Sequence, residues 1–222
     1  MKKTFLSLAF FSMATVAAVH TTGCTKDAYE QAGTVKNDAQ NLQTKMQELT
    51  TQINTTSVSL SNLVQDTETD PTNRYKTFTA AMDKFASLDK SVESGMASFL
   101  ASVQKNFDLR RANLAAIADS TLRKKTQSQL DDDTNNIKSI TDAFEKARQA
   151  LTAYQNNLTD ANNYLQAANL NSAGLKGAQS FAKKTTSLGK DAASELDSVI
   201  KSVSKAIDAL VPSDTQPSAS AK

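Results

Sequence analysis

The sequence predicts an all-α fold, an elongated antiparallel bundle of three or four long coiled-coil-like helices. Three observations predict it. Apolar residues recur at alternating steps of three and four through most of the chain, the spacing of one face of a helix. Only three Pro and six Gly interrupt 222 residues. The strongest turn signals, around Pro71 and at Asn169–Gly174, separate long periodic runs instead of closely spaced short ones.

The first 23 residues stand apart. Met1-Lys2-Lys3 is a short basic start, and Phe5–Val19 is uncharged and rich in Phe, Leu, Ala and Val. That run is shorter than the roughly 20 residues a membrane-spanning helix needs, and it suits the apolar core of a secretory signal peptide over residues 1–23. Thr21-Thr22-Gly23-Cys24 follows and resembles the lipobox of bacterial lipoproteins, with Thr21 where that motif usually carries Leu. The resemblance implies that Cys24 is the acylated N-terminus of the mature chain. Cleavage after Ala18, leaving a free thiol, is the rival reading. Each buried methylene contributes about 0.8 kcal/mol, so the two or three chains of a lipoprotein Cys would hold firmly. Thr25, in place of the Asp that marks inner-membrane retention in familiar two-membrane bacteria, favours the outer membrane facing the periplasm.

Residues 24–27 read as a lipid attachment site and short linker, and the helical domain as 28–210. The first run is Ala28, Ala32, Val35, Ala39, Leu42, Met46, Leu49, Ile53, Thr56, Leu60 and Leu63, apolar at every position but Thr56. It predicts a helix of about 55 Å. Gly33 within it costs helix stability and suggests a bend or a close helix approach. Asp66–Asn73 breaks the pattern, and Pro71 suits the first turn of a second helix.

The second run is Tyr75, Phe78, Met82, Phe85, Val92, Met96, Phe99 and Val103. Asp89 falls on its seam, where a small rotation would bring Leu88 inward instead. Beyond Phe107 the frame slips, because Arg110 and Arg111 stand where a core residue belongs. A break between Asn106 and Thr121, with Asp119 or Ser120 capping a new helix, is the reading adopted. A continuous helix of about 100 residues is the alternative.

The third run is apolar throughout: Ile137, Ile140, Phe144, Ala147, Leu151, Tyr154, Leu158, Ala161, Leu165 and Ala168. Asn169 to Gly174 then supplies a turn. The fourth is Leu175, Ala178, Ala182, Thr185, Gly189, Ala192, Leu196, Val199, Val203, Ala206 and Leu210, small in its first half, so that helices there approach closely or pack loosely. Pro212 stops it, and 211–222 reads as a disordered tail.

Composition bounds the chemistry. The only His is His20 and the only Cys is Cys24, so a chain beginning at Cys24 has no imidazole. Ser-His-Asp and Cys-His catalysis and His-ligated zinc are thereby excluded. Losing Lys2 and Lys3 leaves 23 basic against 23 acidic residues, a balance that argues against nucleic-acid binding. Asp131-Asp132-Asp133 fan out at 100° intervals around a helix and read as a solvated patch. Asp66, Glu68 and Asp70 lack the Gly and distal Glu of a calcium loop. Asp89 and Asp133 are the acidic residues on predicted core faces, too thin a basis for carboxylate catalysis. Arg110-Arg111 and Arg123-Lys124-Lys125 read as exposed helix faces with nearby acidic partners, with phosphate headgroups or peptidoglycan as the functional alternative. Asn156, Asn157, Asn162 and Asn163 flank the third seam, as a solvated face or a polar contact surface. No catalytic, metal or cofactor residue is assigned, and the chain reads as a non-enzyme without cofactor or evident small-molecule substrate.

Other residues carry a family resemblance. Ile117, Leu122-Arg123, Thr126, Leu130, Phe144, Leu151, Leu158, Leu165 and Asn169-Leu170-Asn171 carry it most strongly, joined by Cys24, Tyr29, Gly33, Lys36 and Asp38. On these positions the chain resembles bacterial lipoproteins grouped under a domain-of-unknown-function label, with Thr126 where Ser is usual. The resemblance implies a helical envelope lipoprotein and transfers no activity. The expectation is a lipid-anchored structural or interaction protein, with a membrane anchor and a protein partner or self-association. The alternative is a membrane-surface or lipid-binding helical protein.

Overall fold

A computed structural model of the chain describes residues 24–66 and 70–210, with side chains described for 30–66 and 70–208. Residues 1–23, expected to form a signal peptide, Glu68, and residues 211–222, expected to form a disordered tail, lie outside the described residues. Four helices make up the fold: α1 Cys24–Gln65, α2 Thr72–Ala115, α3 Ser120–Ala167 and α4 Ser172–Leu210. No strand is present among the described residues. At 39 to 48 residues each, the helices are roughly 58–72 Å long.

The helices start and stop for local reasons. The α1 helix runs from Cys24, upstream of Ala28. Asp70 accepts hydrogen bonds from the Thr72 backbone N–H (3.0 Å) and hydroxyl (2.6 Å), which settles two donors at the start of α2. The break expected between Asn106 and Thr121 is real. The α2 helix ends at Ala115, and Asp119 caps α3 by accepting from Thr121 N and Leu122 N, each at 2.8 Å. The α3–α4 turn carries positive φ at Asn169 (50°) and Leu170 (53°). Asn adopts this region readily, whereas Leu does so only because the turn holds it there.

Neighbouring helices run antiparallel. The α1 helix packs along α2 and α4, and α3 packs along α4. The α2 and α3 helices touch only sparsely, and α1 and α3 are diagonal across the core. The seams meet in one continuous cluster including Leu42, Met46, Leu49, Phe78, Phe85, Phe99, Leu151, Tyr154, Leu158, Leu196 and Val199. Tyr75, Met82, Ile137 and Phe144 are only half-buried. Tyr75 joins α2 to α3 through a 2.9 Å hydrogen bond from its hydroxyl to Asn162 Oδ1.

Four sequence expectations are corrected here. Asp89 is not displaced by Leu88: it is 6% exposed, on the seam, and paired with Arg148 of α3, while Leu88 is half-buried. Asp133 is not part of a solvated fan: it is 7% exposed and pairs with Arg110 of α2 at 2.6 Å. Asn157 is buried, donating to Thr185 Oγ1 at 2.6 Å and to the Phe181 carbonyl at 3.2 Å across α3–α4. Gly33 makes no close approach, since a Cβ there would meet nothing within 4 Å. Close approach occurs instead at Gly189, where a Cβ would sit 3.0–3.1 Å from Ile53, Ser57 and Tyr154.

Candidate functional site

Three features of the rod are candidates for function: the end at which α1 begins, the side on which α2 and α3 diverge, and the acidic loop at the opposite end. Cys24, expected from the sequence to carry a lipid, stands at the start of the described part of α1. Its side chain lies outside the described ones. Gln31 donates to the Ser102 carbonyl at 3.1 Å, so the beginning of α1 lies beside the end of α2. The α2–α3 turn therefore shares an end of the bundle with Cys24.

That turn gathers the two basic clusters, which then divide. Arg110 turns inward to Asp133, and its guanidinium stands 5.9 Å from the Phe107 ring centroid. Arg111 pairs with Asp108 at 3.2 Å on the surface. Arg123, Lys124 and Lys125 remain exposed, without an ion-pair partner among the described residues. Leu122 beside them is 53% exposed.

On the side where α2 and α3 diverge, a cleft of about 720 Å³ opens between them. Met96, Leu100 and Phe144 supply its apolar lining, and Glu93, Glu145 and Arg148 its charge. Arg148 bridges Asp89 and Glu93, the latter at 2.6 Å. Asp89 and Glu93 thus share one guanidinium and serve to fasten α3 to α2. Asp133 is engaged in the same manner by Arg110, well apart along the rod. The two core-face acids are not brought together; each holds a separate interhelical clasp. Sequence periodicity flagged Asp89, Arg110 and Asp133 as faults in the seam, and the signal that resolves them is pairing: each seam acid on one helix has an Arg on the other.

At the far end, Asp66 accepts from Arg74 at 2.8 Å, and Arg74 also donates to the Asp66 carbonyl. Asp70 accepts from Thr72 just before α2, and these hydrogen bonds hold its carboxyl below the usual carboxylate range. Asp66 and Asp70 are thus occupied in closing the α1–α2 turn. No group of three or more His, Cys, Asp or Glu residues able to hold a metal ion occurs among the described residues.

The most perturbed proton in the described fold is structural. Burial pushes the Tyr154 phenol up to about 12. Its hydroxyl is 2.8 Å from the Ile53 carbonyl and 3.1 Å from Ser57 Oγ, and its ring stands edge-on to Phe85 with centroids 5.2 Å apart. Nothing in periodicity distinguishes this Tyr from an ordinary core filler. No helix among the described residues is long and apolar enough to cross a membrane. Compared with known proteins, the chain matches no family model, no curated protein and no solved structure.

Proposed function

We propose that the protein is a lipid-anchored structural or interaction component of the bacterial cell envelope, held by an acylated Cys24 with its helical bundle extending into the periplasm. The carrying observation is the position of Cys24. It closes a lipobox-like Thr21-Thr22-Gly23-Cys24 behind an apolar leader, and from it the described chain runs on as helix to Gln65. A lipid there joins the membrane directly to the rod. A four-helix rod exposes long surfaces for its size, which suits contact with another envelope protein or a second copy. Thr25 favours the outer membrane.

The test is intact-mass and N-terminal peptide analysis of the mature protein from its membrane fraction, alongside Cys24→Ala. Acyl mass on Cys24, and release of Cys24→Ala from membranes, is the expected result. A mature chain that begins elsewhere, or carries an unmodified Cys24, overturns the reading. In-cell crosslinking then separates a protein partner from self-association.

A second reading, reversible binding of a helix to a membrane surface, draws on the apolar stripe along each helix. Flotation of the Cys24→Ala form with vesicles at low salt tests it, and absence of binding removes it.

A further inference from the structure

The end of the rod that carries Cys24 has a second feature that faces the same way. Gln31 of α1 is level with Ser102 of α2 through its 3.1 Å hydrogen bond to that carbonyl. Cys24, two helical turns upstream, is therefore level with about Leu109. The α2 helix continues to Ala115 before the chain turns and α3 starts at Ser120. At 1.5 Å per residue, the α2–α3 turn projects roughly 10 Å beyond Cys24 along the rod. A lipid on Cys24 fixes that residue at the headgroup layer, so the projecting turn meets the bilayer when the rod stands upright.

The turn is built for that neighbour. Leu122 is one of three large hydrophobics exposed among the described residues, at 53%, and the most exposed of them. Lys125 follows three positions later on the same face. Arg123, Lys124 and Lys125 are exposed, with no ion-pair partner among the described residues. The nearby acids are committed elsewhere: Asp119 caps α3, Asp108 pairs with Arg111, and Asp133 pairs with Arg110. Asp131 and Asp132 lie further up α3, about 9 Å or more from Lys125 along the axis. The turn thus offers, at the level of phosphate headgroups, one apolar side chain and three cations without an ion-pair partner, against the single nearby carboxylate of Asp119. The even charge balance of a chain that begins at Cys24 conceals this local excess.

We propose that the α2–α3 turn is a second membrane contact, in which Leu122 enters the interface and Arg123, Lys124 and Lys125 bind anionic phospholipid headgroups of the bilayer that holds Cys24. The inference rests on acylation of Cys24. Two points of attachment fix the orientation of the rod, where one flexible lipid tether would leave it free to lean.

The test is amide hydrogen exchange on the full-length acylated protein reconstituted into vesicles. One set is phosphatidylcholine alone, and the other contains phosphatidylglycerol. Exchange across 117–125 is expected to slow roughly tenfold or more in the anionic vesicles, since each basic residue near such a surface adds appreciably to binding. The loop at 66–71 stays unchanged as the internal control. The slowing is lost at high salt and in the triple variant Arg123→Glu, Lys124→Glu, Lys125→Glu, whose residues are exposed and whose fold is checked by circular dichroism. Equal exchange in both vesicle types, or slowing that survives in the triple variant, overturns the proposal while leaving the anchor in place. Absence of acyl mass on Cys24 removes the anchor, and the proposal with it.

Discussion

The Tyr154 hydroxyl donates a 2.8 Å hydrogen bond to the Ile53 carbonyl and so joins α3 to α1, which are diagonal in the bundle. The ring also packs edge-on against Phe85 of α2 and lies against Gly189 of α4. One side chain therefore touches all three other helices. Tyr154→Phe keeps the ring and removes the bond. It is expected to lower stability by about 1 kcal/mol, read as a lower urea midpoint at unchanged slope. A loss indistinguishable from zero would mean the hydroxyl contributes nothing to the junction.

The same phenol sets an alkaline limit. Its value rises from 10.0 to about 12 on folding, so the folded state holds the proton more tightly. That stability is fully present below pH 10 and is lost as pH rises from 10 towards 12. The loss by pH 12 is on the order of 2–3 kcal/mol. Denaturation midpoints measured from pH 9 to 12 should fall more steeply for the unsubstituted protein than for Tyr154→Phe. Parallel curves would refute the assignment.

Two glycines should respond oppositely to the same substitution. Gly33 faces open space, so Gly33→Ala gains helix propensity and stabilises by about 0.5–1 kcal/mol. At Gly189 the added methyl would crowd Ile53 and Tyr154, both at most 2% exposed, together with the buried Ser57. Overpacking exceeds the propensity gain there, and Gly189→Ala is expected to destabilise by about 1 kcal/mol. Thermal melts of the two variants decide it; a shift of the same sign in both contradicts the packing described.

The clasps between α2 and α3 concern register. Asp89→Ala leaves the Arg148 guanidinium with Glu93 alone, and is expected to cost about 2–3 kcal/mol, since Arg148 remains partly solvated. The double replacement Asp89→Leu, Arg148→Met should recover most of that loss, because no charge is then left on the seam unpaired. A double variant as unstable as the single one would show that the pair contributes more than mutual neutralisation.

Capping offers a local test. Asp119→Ala frees the Thr121 and Leu122 amides and is expected to cost about 1 kcal/mol. Faster amide exchange confined to the start of α3 would identify the cause. Asp70, bonded by Thr72, should titrate below ordinary Asp in a carboxyl NMR titration. An ordinary value would disprove the hydrogen bonds from Thr72.

The helices and their ends were legible in the sequence because both are local properties. Heptad spacing requires only that one face of a segment be apolar, and Pro71, Asp119 and Asn169-Leu170-Asn171 act within a few residues of themselves. Partnership between helices is not local. Periodicity shows that Leu42 and Leu151 are buried, and says nothing about which helix covers each. Asp89, Arg110 and Asp133 looked like defects because the charge that neutralises each lies on another helix, at sequence separations of 23 and 59 residues. Asn157 looked solvated because its acceptors lie on α4, and Gly33 and Gly189 were indistinguishable until a neighbouring helix stood against one and not the other. The sequence by itself determined that the chain is helical, roughly where its turns fall, and which faces are apolar. Only the tertiary structure decided which helices are adjacent, that polar seam residues serve as clasps, and that the α2–α3 turn shares an end with Cys24, because each of these depends on groups brought together through space.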